Sequence, residues 1–416
     1  MSEKANLSFI FILPILLILT ALLTTPLDAI FSGLYKIILS KSILFTDYIE
    51  IGGFGAALFN AGLCGLIACI LIVILKIYVS GPFIAAVFTI IGFAFFGKNI
   101  FNIWPIFIGG FIFAKIQKAP LKQYFLISLF GTTLAPLISF LAFGAGFSKL
   151  YGILIGWIIG IIVGFILPPL AAHMLKFHSD YNLYNTGFTG GIIGSFVTAV
   201  LRAFDIVIEN EKILNETYDV FFKIYFLCFF IFLLLLSFLF SIFDLKKLKI
   251  SLKKILESPG RLISDFILIG GLRVTIFNMG VMGCISLIFL TLIGGKINGP
   301  IIGAILTVVG FSAFGKHPKN TVQILIGVYL ASTIKIYGSN IFIIALCGLF
   351  STTLAPIAGK YGFFAGIIAG FFHLSVVMNV GILHGGVNLY NNGFAGGFVA
   401  ACLIPVIYAL SKEKED

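Results

Sequence analysis

Asn182-Leu183-Tyr184-Asn185-Thr186-Gly187-Phe188 returns near the end of the chain as Asn388-Leu389-Tyr390-Asn391-Asn392-Gly393-Phe394. A histidine stands four residues before each copy (His178, His384), and a glycine pair follows at the same spacing (Gly190 and Gly191; Gly396 and Gly397). Amides, phenols, imidazoles and glycines are costly at membrane depth unless they line a cavity or pack backbone against backbone. The two phrases are therefore expected to meet near the middle of the protein and to shape a solute path.

Membrane depth is the right frame because of composition. The chain is 60% hydrophobic and 10% charged, with a mean hydropathy of +1.15. A soluble domain of this length has too little polar surface in such a composition to cover itself. The apolar runs are continuous rather than alternating, which points to helices and against a β-barrel. The expected fold is all-α, a polytopic transmembrane bundle. The formal charge of +11 is spread over short loops and one linker, the pattern that orients helices, so no nucleic-acid partner is expected; the partner is the lipid bilayer. Cys64, Cys69, Cys228, Cys284, Cys347 and Cys402 lie in apolar stretches without a Cys-x-x-Cys pair and read as packing residues.

Working outward from the phrase, the rest of the chain is also doubled. Phe59-Asn60-x-Gly62-x-x-Gly65 is answered by Phe277-Asn278-x-Gly280-x-x-Gly283, Gly81-Pro82 by Gly299-Pro300, and Phe96-Gly97-Lys98 by Phe314-Gly315-Lys316. Asn102 and Gly109 match Asn320 and Gly327, and Thr132-Thr133-Leu134-Ala135-Pro136 matches Thr352-Thr353-Leu354-Ala355-Pro356. Gly156, Gly160 and Gly164 match Gly362, Gly366 and Gly370, a four-residue spacing expected to let helices pack closely. A repeat this long signals duplication of a transporter-type half.

The expected organisation is an anchor helix and connection over 1–52, a first membrane repeat over 53–203, a joining segment over 204–262 and a second repeat over 263–416. The run from about Phe9 to Leu23 reads as an anchor that stays. The joining segment holds an acidic loop (Asp205, Glu209, Glu211, Glu216, Asp219), an additional apolar helix and a basic stretch (Lys246, Lys247, Lys249, Lys253, Lys254, Arg261). That stretch reads as a cytoplasmic tether or as an interfacial helix touching anionic lipid. Counting from it makes the halves inverted copies with both termini inside. Because the second and third segments of each half are short and interrupted by Gly and Pro, a re-entrant second segment would instead make them parallel.

The candidate substrate path is Asn60, Asn278, Asn182, Tyr184, Asn185, Asn388, Tyr390, Asn391, His178 and His384. None bears a fixed charge, a set that suits a small neutral polar solute or ordered water. Asn-x-x-Asn beside glycine also caps and satisfies a broken helix, and both roles stay open. Replacing Asn182, Asn185, Asn388 or Asn391 is expected to impair passage more than folding. One histidine per repeat is too few for a metal cluster, and His173 and His373 read as packing or capping residues. Lys98 and Lys316 read as snorkelling cations at helix C-termini, as do Arg202 and Arg273. No nucleophile elbow, phosphate loop or zinc-ligand pair is present, and Asp180 is replaced by Gly386 in the second half; neither an enzyme nor a cofactor is expected.

These doubled motifs resemble those of uncharacterised, duplicated bacterial integral membrane proteins assigned to a domain of unknown function, a resemblance that covers nearly the whole chain and implies no activity. A partial resemblance is to urea transporters, through Asn60 to Gly65 and Asn278 to Gly283, each followed by Gly-Pro. No proline follows either asparagine, and Cys64 or Met282 stands in the threonine position. That resemblance implies a channel-like path through a pseudo-symmetric fold. The sequence thus points to a multi-pass protein of the bacterial inner membrane, a channel or secondary transporter; the alternative is a scaffold, sensing or assembly protein on the same fold. The solute and the oligomeric state, a homo-oligomer among the options, are left open.

Overall fold

The computed structural model describes residues 3–209, 211–240, 245–334 and 340–410; the tail at 411–416, which the expectation about the termini includes, lies outside them. Among the described residues the chain is helical, with one isolated bridge between Thr46 and Ile213. In the first half α1 (Glu3–Thr24), α2 (Leu27–Leu39), α3 (Tyr48–Gly52), α4 (Phe54–Ile74) and α5 (Gly81–Phe93) are followed by α6 (Trp104–Ile116), α7 (Phe125–Gly131), α8 (Ala135–Phe143), α9 (Lys149–Phe177) and α10 (Asn185–Ala203). The second half runs α11 (Asp219–Leu239), α12 (Leu245–Glu257), α13 (Phe266–Gly270), α14 (Leu272–Leu292), α15 (Gly299–Phe311), α16 (Pro318–Ser332), α17 (Ile341–Ser351), α18 (Ala355–Tyr361), α19 (Phe363–Val380) and α20 (Asn391–Leu410).

Matched residues make matched joints. Asp47 and Asp265 cap α3 and α13 by accepting from the backbone N–H groups of Ile49 and Ile267. Gly53 (φ +86) and Gly271 (φ +83) then take the turn into α4 and α14, a conformation that L side chains resist. Single 3-10 turns, Thr132–Leu134 and Thr352–Leu354, join α7 to α8 and α17 to α18. There Pro136 and Pro356 occupy the first turn of the following helix, where a missing N–H costs nothing.

The helix expected to have no counterpart has one. α11 lies along α14, with Leu234 and Phe230 against Gly280 and Gly283. In the same way α1 lies along α4, with Ile18 and Pro14 against Gly62 and Gly65. The basic stretch is likewise not a free tether but the helix α12, whose Leu248, Leu252 and Ile255 pack on Phe266, Ile269 and Val274.

The centre of the bundle is the pair α5 and α15, each thirteen residues long. Such helices rise about 20 Å, short of the ~30 Å hydrocarbon core. All of α15 is buried, and so is nearly all of α5, which is why both are apolar round their whole circumference. They run antiparallel: a Cβ on Gly92 would sit 3.0 Å from Gly303 Cα, and one on Gly310 would sit 2.7 Å from Phe88 Cβ. At the ends Gly81 meets the Ala313 carbonyl and Gly299 meets that of Phe95. Each amino end is held by the other half's capping carboxylate. Gly299 N–H donates to Asp47 at 2.9 Å and Gly81 N–H donates to Asp265 at 3.1 Å, a favourable place for negative charge at a helix start.

α5 and α6 are joined by a tight tip, as are α15 and α16, making out-and-back hairpins whose arms lie apart, with α6 against α9 and α16 against α19. Pro82 at the head of α5 and Leu126 at the head of α7 line one cavity, so the first hairpin starts and finishes at the same end of the bundle. At its tip Lys98 N–H reaches back to the Phe93 carbonyl at 3.0 Å across Gly97, which has positive φ; Lys316, Phe311 and Gly315 repeat the closure at 3.1 Å. The doubled Phe-Gly-Lys is therefore a helix stop.

Glycine packing is visible at most of the expected positions. A Cβ on Gly109 would lie 2.2 Å from the Ile161 carbonyl oxygen, and one on Gly327 2.1 Å from that of Ile367, while Gly164 and Gly370 face Ile106 and Ile324 carbonyls. Gly362 departs from the expectation. It has φ +88 and open space around its missing Cβ, so it separates α18 from α19 instead of packing, where Gly156 sits inside the continuous α9. Substituting Leu at Gly109 or at Gly327 is expected to cost about 1–3 kcal/mol through backbone separation, read as a lower unfolding midpoint in detergent; an unchanged midpoint would show that these helices do not need their close approach.

Candidate functional site

The two phrases meet, as their residue types suggested, and they meet by exchange between the halves. Asn182 Nδ2 donates to the Gly393 carbonyl at 2.9 Å, while its Oδ1 accepts from Thr353 Oγ1 at 2.6 Å and from Tyr184 N–H at 3.2 Å. Asn388 does the same with the Gly187 carbonyl (3.0 Å), Thr133 Oγ1 (2.8 Å) and Tyr390 N–H (3.2 Å). Backbone bonds complete each stitch, Leu183 N–H to the Thr353 carbonyl and Leu389 N–H to the Thr133 carbonyl. Each break before α10 and α20 is thus satisfied by the Thr-Thr turn of the opposite half.

Asn185 and Asn391 do local work. Asn185 pairs with His178 Nε2 at 2.9 Å and donates to the Ala171 carbonyl at 3.0 Å; Asn391 pairs with His384 Nε2 at 2.9 Å and donates to the Val377 carbonyl at 3.5 Å. These bonds tie the start of each phrase helix to the helix before it. His373 pairs with Asn392 at 3.0 Å inside the second half.

Where α10 crosses α20, Gly187 faces Tyr390 Cβ and Gly393 faces Tyr184 Cβ. The small residues bring the two phenol rings to 5.1 Å between centroids. Asn60 and Asn278 lie away from this crossing, on α4 and α14, from which they reach the hairpin tips. Asn60 Nδ2 donates to the carbonyls of Ala94 (2.8 Å) and Lys98 (2.9 Å), and Asn278 Nδ2 to those of Ser312 and Lys316 (both 2.8 Å). They secure the tips, whose carbonyls would otherwise be orphaned in an apolar interior.

The tips bring in two residues whose role the sequence did not disclose. Lys98 and Lys316 are not snorkelling cations: both are 0% exposed. Lys316 Nζ donates to the Tyr184 hydroxyl (2.5 Å) and to Thr352 Oγ1 (2.7 Å), and stands 4.5 Å over the Tyr184 ring. Lys98 Nζ stands 5.1 Å over Phe93, whose ring is 4.7 Å from Tyr390. The signal available in the sequence was their position directly after the Phe-Gly stop in a segment too short to reach both surfaces.

A cavity of about 240 Å³ reaches this centre, lined by Pro82, Phe130, Tyr184, Asn185, Leu262 and Tyr390 among others. Near its end of the bundle Arg261 bonds Asp180 at 3.3 Å. At the far end the acidic segment is fastened to the first half through Lys41 and Glu211 at 3.2 Å and through Asn215 N–H to Asp47 at 3.1 Å. Burial raises the Asp47 carboxyl to about 6 against the three N–H groups it accepts from. Among the described residues no group of three or more His, Cys, Asp or Glu is placed to hold a metal ion.

Nine helical stretches among the described residues are long and apolar enough to cross a membrane, and with this buried polar centre they define a polytopic helical membrane protein. The chain belongs to the family described as Protein of unknown function (DUF1576), whose model matches residues 27–203 and 245–409. The two matched stretches begin at α2 and α12 and run through α10 and α20, one per half. No curated protein and no solved structure matches the chain, and the resemblance to urea transporters gains no support.

Changing Asn182 to Ala, or Thr353 to Ala, leaves buried partners unpaired at a cost of about 1–3 kcal/mol. The double substitution is expected to cost clearly less than the sum, since the two share one network. Unfolding midpoints of the three variants check this; strict additivity would mean that the halves are not joined through this bond.

Proposed function

We propose that the protein carries a small polar solute across the membrane, as a channel or secondary transporter, along a route between two halves that are inverted copies. The observation that carries this reading is the cavity ending on Tyr184 and Tyr390, where buried polar groups of both halves converge beside interrupted helices. Scaffolding alone gives no reason to bury so many polar side chains, whereas solute sites are built at breaks in matching places of two repeats. The expected neutrality of the solute rested on uncharged site residues; the two lysines enter the same centre and remove that basis.

Three features support inversion. α5 and α15, matched in sequence, pack antiparallel. Among the described residues the second half contains five stretches long and apolar enough to cross and the first half four, to which α10, nineteen residues long and matched in sequence to α20, adds a fifth by length; an odd number reverses the second copy. Each short hairpin takes two segments out and back, so it leaves the parity unchanged.

Two experiments test the reading. Cysteines introduced singly at Glu211 and Asp180, in a chain freed of its own six, are expected to react with an impermeant reagent from opposite sides, with one at Lys319 reacting from the Asp180 side. Lys319 on the Glu211 side would overturn the inversion. Proteoliposomes subjected to an osmotic step with glycerol, urea, glycine, sodium formate or sodium acetate are expected to equilibrate at least one of these faster than empty vesicles, and Leu262→Trp, at the cavity wall, should slow it about tenfold without lowering the unfolding midpoint. Wild-type rates equal to those of empty vesicles for the whole set would count against transport.

A further inference from the structure

The two halves repeat the stitches at the phrases and the hairpin-tip bonds of Asn60 and Asn278, but not the surroundings of the hairpin lysines. In the second half the centre is closed: Lys316 holds the Tyr184 hydroxyl and Thr352 Oγ1, and Thr307 Oγ1 donates to the Gly303 carbonyl at 2.7 Å. In the first half the matched atoms are open. Lys98 Nζ, the Tyr390 hydroxyl and Thr89 Oγ1 are buried and have no hydrogen-bond partner. Lys98, Tyr390 and Thr89 are 0%, 1% and 0% exposed. The Thr89 hydroxyl lies beside that of Tyr390, outside hydrogen-bond geometry, and the Phe93 ring stands 4.7 Å from the Tyr390 ring and 5.1 Å from Lys98 Nζ.

What these three groups lack is an acceptor. An ammonium offers three protons and no lone pair, and each hydroxyl still has its proton to give. The nearby acceptors do not serve Lys98. Asn60 Nδ2 takes the carbonyls of Ala94 and Lys98, and Asn60 Oδ1 faces the Cys64 thiol at 3.9 Å; Thr132 Oγ1, which donates to the Leu129 carbonyl, takes no proton from Lys98, whereas Thr352 Oγ1, donating likewise to the Leu349 carbonyl, accepts from Lys316. Among the described residues no carboxylate forms an ion pair with Lys98. A buried, unpaired ammonium is among the costliest arrangements in a protein interior.

We propose that the Lys98 half-site binds a small monovalent anion, a carboxylate or an inorganic ion of similar size, received by Lys98 Nζ together with the hydroxyls of Tyr390 and Thr89. One ammonium matches one negative charge, and three donors match the acceptor oxygens of such an ion. This deepens the transport reading by making the carried solute an anion, and it rests on that reading for carriage though not for binding. The closed arrangement at Lys316 is the same site with its donors turned onto the protein.

The test is thermal unfolding of the purified full-length protein in detergent with increasing sodium formate, acetate, nitrate or chloride, ionic strength being held constant with the bulky gluconate. At least one of the four is expected to raise the midpoint saturably, as ligands selective for the folded state do. Lys98→Met should abolish the rise, and without these ions it should unfold no earlier than wild type because it removes an unpaired charge. Thr89→Val and Tyr390→Phe should each weaken the apparent affinity about tenfold, which keeps the test decisive if the lysine variant fails to fold. No rise with any of the four ions, or a rise retained in Lys98→Met or in both hydroxyl variants, would overturn the site. Binding without flux in proteoliposomes would leave the site standing and defeat the transport reading; flux of glycerol, urea or glycine without anion binding would do the reverse.

Discussion

In a bilayer a broken helix has no water to turn to, and every carbonyl and N–H that the break releases needs a partner from protein. Here the partner is supplied across the boundary between the halves. The turn before α10 is closed by Thr353 and Gly393, and the turn before α20 by Thr133 and Gly187. The amino ends of α5 and α15 are held by Asp265 and Asp47. Without this exchange the interrupted segments leave orphaned polar groups at depth, so the breaks, the crossing of α10 with α20 and the antiparallel core depend on one another.

The exchange also explains the crowding of glycine and aromatic residues at the centre. Tyr184 and Tyr390 approach to 5.1 Å because Gly187 and Gly393 leave room for them. Phe188 packs against Gly397 as Phe394 packs against Gly191. Each half offers a small residue where the other offers a ring, so backbone and rings approach closely across the interface.

Much of this was legible in the sequence, because duplication turns weak signals into paired ones. A single Asn-x-x-Asn is ambiguous, but two at corresponding positions mark the meeting point, and the doubled Gly-Pro and Phe-Gly-Lys mark where the short helices start and stop. What escaped had physical reasons. Lys98 and Lys316 look alike whether they reach a surface or end inside; the shortness of the segments before them is the one signal in the sequence, and the packing around the tips shows that the chain turns back before the lysines find water. The equivalence of α1 and α11 left no motif, since both meet a glycine face with whatever apolar side chains fit: Pro14 and Ile18 in one, Phe230 and Leu234 in the other. Gly362 belongs to a regular spacing with Gly366 and Gly370, yet its positive φ is a backbone property that spacing does not encode.

The stitch from Asn182 to Thr353 has the same form as the stitch from Asn388 to Thr133, so neither half recognises anything that the other lacks. Two separate copies of one half, paired as the halves are here, would present each other with the acceptors and donors that the fused protein finds in its second half. The covalent link adds the freedom for the two copies to drift apart in sequence, and the unequal surroundings of Lys98 and Lys316 are what that freedom has produced: one lysine held by the other half and one left without a partner.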